Sequence, residues 1–241
     1  YDAATTAGGE QPGARSFGSD LGGCGGILHD AAGKAWLVLF GGLRPGMRDN
    51  ETWILGPLGD ASSAADWCWF EIQADGRSQS VSRPAPRFHH TLTVVQEATA
   101  DGRCDALLLY GGHDFRIEPI TEAHVLSLHH VDLRVQHLQG APQLVGLEQV
   151  EWQEWGAVDD GEGPEERARH TALFWPPCRG LVVIGGETDE LYDDQGAYLS
   201  RGPFVDGHAQ WQELPELPVD IELNSTRDLA AVVLPRDKLL V

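Results

Sequence analysis

The sequence predicts an all-β chain assembled from repeated antiparallel units, and three observations carry that reading. The first is an internal repeat. Arg87-Phe88-His89-His90-Thr91, the apolar run Leu92 to Val95, a polar turn at Asp101-Gly102 and the closing Leu107-Leu108-Leu109-Tyr110-Gly111-Gly112 form one copy. Arg167-Ala168-Arg169-His170-Thr171, Leu173 to Trp175, a turn at Pro176-Pro177 and Leu181-Val182-Val183-Ile184-Gly185-Gly186 form the second. Two short β-prone runs around a turn, ended by paired glycines, are a hairpin signal, and its recurrence makes a repeat architecture. The second observation is a third apolar run at nearly constant distance, with Ile54, Val125 and Tyr198 lying 12, 13 and 12 residues after the second glycine of each pair. The third is a tryptophan-marked fourth run: Trp67 to Ile72, Trp152 to Trp155 and Trp211 to Leu214.

Taken in order, residues 1–13 are Gly, Ala and Thr rich and read as a lead-in, and 14–241 as the repeat segment. Unit 1, about 14–72, opens with a degraded motif at Arg15 to Ser19 that places Gly18 at the His position, and a glycine-rich first strand through Gly22, Gly23, Gly25 and Gly26. A turn at Asp30 to Gly33 and the strand Trp36 to Phe40 lead to Gly41-Gly42. Unit 2 spans about 84–155 and carries an extra stretch, Leu133 to Glu148, expected as an elongated hairpin or surface loop. Unit 3 spans about 164–214, and a partial fourth, 225–241, has Ala230 at the His position.

Arg-x-x-His-Thr, four apolar residues before Gly-Gly and a later Trp together resemble the Kelch repeat, across nearly the whole chain from Arg15. The resemblance implies four-stranded blades of a β-propeller. It gives about three and a half blades of a ring that in this family usually has six or seven, so the chain is expected to be incomplete. The missing blades would come from the rest of the protein or from other subunits. The resemblance also implies that first strands line a central channel and that Arg87, His90, Gly111, Gly112, Arg167, His170, Gly185 and Gly186 serve structure. Trp69, Trp155 and Trp211 are expected to fill the spaces between blades.

Composition narrows function. With 37 acidic against 17 basic residues the net charge is −20, which disfavours nucleic-acid backbone and anionic membrane as partners. No run approaches a membrane span and the N-terminus shows no basic-then-apolar leader pattern, and with no initiator Met the natural N-terminus is expected upstream. Cys24, Cys68, Cys104 and Cys178 have no metal-ligand or disulfide-framework spacing, and read as reduced thiols of a cytoplasmic protein.

No cofactor or metal is expected. His89-His90 and His129-His130 are adjacent, so on regular strand each pair points to opposite faces. A copper radical oxidase is built on the same fold with two Tyr and two His as ligands, but Tyr110 and Tyr198 belong to the strand pattern, leaving Tyr1 and Tyr192. The favoured function is a non-catalytic protein-interaction scaffold; a Kelch-like oxidase or sugar-modifying enzyme, an enzyme's propeller appendage and a structural subunit are the alternatives.

The resemblance implies that the loop after Gly-Gly and the loop entering the first strand open on one face, where relatives grip peptides. In units 1 and 2 the first of these loops is Leu43 to Asn50, with Arg44 and Arg48, and His113 to Pro119, with His113, Phe115 and Arg116. Unit 3 presents the loop Glu187 to Asp194, with Glu187, Asp189, Glu190, Asp193 and Asp194, beside Asp159, Asp160, Glu162, Glu165 and Glu166. The expectation is that the acidic side attracts a basic segment while Arg44, Phe115 and Arg116 anchor its other end.

Overall fold

Alternating and continuous apolar runs resolve into sixteen strands and one short 3-10 turn, Leu147–Gln149, among the described residues. The computed structural model describes residues 23–44, 47–57, 67–72, 83–99, 102–138, 141–156, 163–189, 196–205, 210–215, 227–228, 230–234 and 238–240. Unit 1 is the sheet β1 (Cys24–His29), β2 (Ala35–Arg44), β3 (Met47–Pro57) and β4 (Trp67–Glu71), paired in chain order. Unit 2 is β5 (Thr91–Thr99), β6 (Gly102–Tyr110), β7 (Ala123–Ser127) and, after the hairpin β8 (Arg134–Leu138) and β9 (Ala141–Val145), β10 (Trp152–Glu154) on the edge of β7. Unit 3 is β11 (Thr171–Trp175), β12 (Gly180–Ile184), β13 (Ala197–Arg201) and β14 (Gln210–Leu214). A final hairpin pairs β15 (Val232–Leu234) with β16 (Lys238–Leu240). Every pairing is antiparallel, and the architecture is all-β.

The second strands are continuously apolar from Trp36 to Phe40, Ala106 to Tyr110 and Leu181 to Ile184, and a two-residue period sends alternate side chains to the two faces of each sheet. Leu107 and Leu109 join Leu28, Trp36, Val38, Phe40 and Ile54 in the core between units 1 and 2. Ala106, Leu108 and Tyr110 point the other way, to Leu181, Val183, Phe204 and Trp211 of unit 3. Val182 and Ile184 in turn face Ala231, at the entry to the last hairpin. Each fully buried Leu or Ile contributes about 1.5–3 kcal/mol of apolar transfer energy, so a sheet loses most of its stabilisation without its neighbours. First strands neighbour one another, β1 against β5, β5 against β11 and β11 against β15. Gly26 permits this approach, since a Cβ there would stand 2.5 Å from Leu107 and 2.7 Å from Val94 side-chain atoms.

Register corrects the expected motif positions in two units. Thr91 pairs Tyr110 and Thr171 pairs Ile184, each one residue before Gly-Gly. Cys24 pairs Phe40 in the same way, so Gly23 and not Gly18 occupies the His position of unit 1. In the last unit the backbone N–H of Asp228 donates to Arg169 O as that of Arg169 donates to His89 O, and all three residues have φ between 55° and 56°. Asp228 is therefore the equivalent of Arg169 and His89, and Ala230, two residues on, stands one residue beyond the His position. Glycine-rich and small-residue runs do not distinguish such shifts, which only the pairing with the second strand settles.

The tryptophan set also changes. Trp69 pairs Leu55, Trp152 pairs Leu126 and Trp211 pairs Ser200, so Trp152 is the equivalent of Trp69 and Trp211. Its indole N–H donates to Thr52 Oγ1 at 2.9 Å, in the space between units 1 and 2. Trp155 lies just beyond β10, buried against Trp211 and Phe204 on the opposite face, with its N–H on Pro203 O at 3.2 Å. The extra stretch of unit 2 is a hairpin, and it is part of the core: Leu133, Leu144 and Val150 are buried with Phe70 and Ile72 of unit 1.

The four cysteines are unbridged, and among the described residues no helix is long and apolar enough to cross a membrane.

Candidate functional site

The Arg-x-x-His-Thr and Gly-Gly segments meet at one end of the sheets, and the backbone explains why. Both glycines of each pair have positive φ, for example 60° at Gly111 and 102° at Gly112, which L side chains rarely adopt. A Cβ on Gly111 would also come within 2.5 Å of Arg167 O. The second glycine N–H donates to the motif arginine of the next unit, Gly42 to Arg87 O at 3.0 Å and Gly112 to Arg167 O at 2.9 Å. The arginine side chains, both fully buried, point back into their own unit. Arg87 donates to Ala85 O, Gly111 O and Glu122 O, and its Nη2 meets Glu122 Oε2 at 2.6 Å. Arg167 donates to Glu165 O and Gly185 O and lies over the Tyr198 ring at 4.8 Å. His90 and His170 sit against the residue before Gly-Gly in the preceding unit, His90 edge-on to Phe40 and His170 edge-on to Tyr110. These residues join units.

A charged network crosses the same end. His113 Nε2 contacts Glu187 Oε1 at 2.7 Å, and Glu187 also meets Arg169 Nε at 3.5 Å and Arg227 Nη1 at 3.4 Å. Arg169 Nη1 reaches Asp228 Oδ2 at 3.2 Å. His113 Nδ1 lies 3.2 Å from His89 Nδ1. With Glu187 taking the Nε2 proton of a neutral His113, the Nδ1 of that ring accepts and His89 Nδ1–H donates. Burial, then the Arg169 charge, hold His89 down to about 4, and burial likewise lowers His113 against the opposing pull of Glu187. Both rings are therefore neutral at pH 7. Within this network the charges of Arg169 and Arg227 balance those of Glu187 and Asp228.

Beside it the chain projects a tight loop. Asp114 Oδ1 accepts from Arg116 N at 2.6 Å and Glu118 N at 3.1 Å, Asp114 N donates to Glu118 O, and Ile117 N donates to Asp114 O. The loop's base is fixed by bridges from His113 to Phe88 and to Pro119. Its tip, Phe115, Arg116 and Ile117, is 64%, 64% and 62% exposed. Ile117 has φ 68°, a conformation that costs a β-branched residue on the order of 1–2 kcal/mol and that glycine would adopt freely.

No family model matches the chain, and no curated protein does. Among solved structures it is similar to YjhT, at 17% identity and a TM-score of 0.46, over 79% of this chain and 45% of that one. It is also similar to a chain of a cryo-EM structure of RAG in complex with one melted RSS and one unmelted RSS, at 14% identity and a TM-score of 0.49, over 81% of this chain and 51% of that one. The chain spans about half the length of each.

Of the residues expected to bind a partner, Phe115, Arg116 and Asp189 are exposed at this end. His113 is not available: it is buried, and Glu187 and His89 occupy both its ring nitrogens. Leu43 to Asn50 is not a loop, because β2 and β3 extend beyond Gly-Gly through the pairs Leu43–Arg48 and Arg44–Met47. The side chains of Arg44 and Arg48, and all of Glu190, Asp193 and Asp194, lie outside the described residues, as do Asp159, Asp160 and Glu162. Arg169, Arg227 and Asp228 are the residues that sequence reasoning missed, and Glu187, expected as a carboxylate of the unit 3 loop, is instead their common partner together with His113. The signal was the third position of Arg-x-x-His, charged in both unit 3 and the last unit.

Proposed function

We propose that the chain is a segment of a Kelch-type β-propeller, cytoplasmic and non-catalytic, that acts as a protein-interaction scaffold within a larger protein or assembly. The observation that carries the reading is the order of the sheets: four-stranded meanders laid face to face, first strand to first strand, with every motif arginine and glycine pair gathered at one end. Such an end is a rigid platform, and loops held on a rigid scaffold are where binding residues concentrate. The outer face of unit 1, with Ile27 53% and Trp67 42% exposed, has the apolar character of the covered faces of units 2 and 3, and a further blade from the rest of the protein or another subunit fits it.

The partner is a protein segment of basic character, drawn to the carboxylates Asp189, Glu190, Asp193 and Asp194 and anchored at its other end by Arg44, Arg48, Phe115 and Arg116. The test is photocrosslinking in the native cell with p-benzoylphenylalanine at Glu118 or Asp189, on the glycine-pair end, and at His29 on the opposite end. A single protein joined to positions 118 and 189 but not to 29, and binding more weakly as salt rises, is expected. Crosslinks only from position 29 would reject the platform.

A further inference from the structure

We propose that the loop Asp114–Glu118 is itself the recognised element, a rigid plug that enters an apolar pocket of the partner protein whose rim carries carboxylates. The inference rests on the reading of this end as the binding platform and adds the polarity of recognition: the partner supplies the concave surface.

Two large apolar side chains, Phe115 and Ile117, stand more than three-fifths exposed on either side of Arg116. They cannot fold down. The backbone between Asp114 and Glu118 is closed on itself by the four hydrogen bonds around Asp114, and its base is locked through His113. Pro119 behind the tip is buried, and Ile120 N donates to Gly112 O at 3.0 Å, so the loop has no slack on its C-terminal side. A turn this tight is convex, and anchors that flank its apex reach a common surface only if that surface is a cavity. The conformation at Ile117 argues in the same direction. Glycine would satisfy the turn, and the side chain retained at φ 68° is 62% exposed. A strained, exposed apolar residue is a mark of a binding contact. Arg116 sets the partner's charge: its guanidinium lies 5.0 Å from the centre of the Phe115 ring and 3.9 Å from Glu118, both exposed, which leaves its fork open to a carboxylate above the pocket.

The test uses the protein captured by crosslinking at position 118, purified, with affinity measured for the full chain and its variants. Phe115→Ala and Ile117→Ala are each expected to weaken binding at least about 30-fold, and Arg116→Ala to weaken it several-fold with a shallower salt dependence. Ile117→Gly separates the roles: it should raise the melting temperature while binding as poorly as Ile117→Ala. Affinities within threefold of the parent for Phe115→Ala and Ile117→Ala, or no crosslink from position 118, would overturn the plug. If the Asp189→Asn, Glu190→Gln, Asp193→Asn, Asp194→Asn variant then lost binding, the platform would stand and only the plug would fall. Loss from neither set would remove both.

Discussion

At the scale of single residues, the motif histidines and arginines set the chemistry of folding more than that of binding. His90 and His170 are buried, with pKa values held down to about 3 by burial and then by Arg87 and Arg167 respectively. Their folded values lie below the unfolded value of about 6.5, so both states are neutral above that pH and stability there is flat. As pH falls from 6.5 toward 3 the unfolded chain takes up protons that the folded chain refuses, at about 1.4 kcal/mol per pH unit for each ring. Urea melts at stepped pH should show a decline beginning near 6, to which the lowered His89 and His124 also contribute, and His170→Gln should reduce the slope by about 1.4 kcal/mol per pH unit; an unchanged slope would contradict the assignment. Arg167→Lys keeps the charge but loses the fork that bonds Glu165 O and Gly185 O, and should cost about 3 kcal/mol in the same assay. Arg87, His90 and the glycine pairs were legible because their types recur at fixed spacing. Their neighbours His89, Arg169 and Asp228 were not, because what they share is a backbone conformation and three different side chains express it.

Among elements, the strands were readable from period and composition, while register and edge were not. The pattern Trp-x-x-Trp at Trp152 and Trp155 offered two candidates for one role, and only the pairing with Leu126 separates the one facing unit 1 from the one facing unit 3. The β8–β9 hairpin reads as a polar excursion because β8 is exposed along most of its length, yet Leu144 on β9 closes the core beside β4. Leu144→Ala should therefore cost about 2–4 kcal/mol, where a surface hairpin would lose almost nothing, and denaturant unfolding distinguishes the two. Gly56 offers the converse test. A Cβ there would stand 1.9 Å from the Trp36 ring, whose N–H is committed to Asp30 Oδ2 at 3.0 Å, so Gly56→Ala should destabilise by about 1–3 kcal/mol through overpacking.

For the whole molecule, stability resides between sheets, and a sheet face without a neighbour is an interface in waiting. Ile27, Leu37, Leu55 and Trp69 form one cross-strand row on the outer face of unit 1. The isolated chain should self-associate through it, and Ile27→Glu with Trp67→Glu should shift sedimentation toward the monomer without moving the binding platform. That platform is the account's central claim, and hydrogen exchange on the complex tests it most directly. Slowed exchange on partner binding is predicted at 113–120, 163–169 and 187–189, around the glycine pairs. Protection confined to the opposite end, at the turns 30–34 and 176–180, would contradict it.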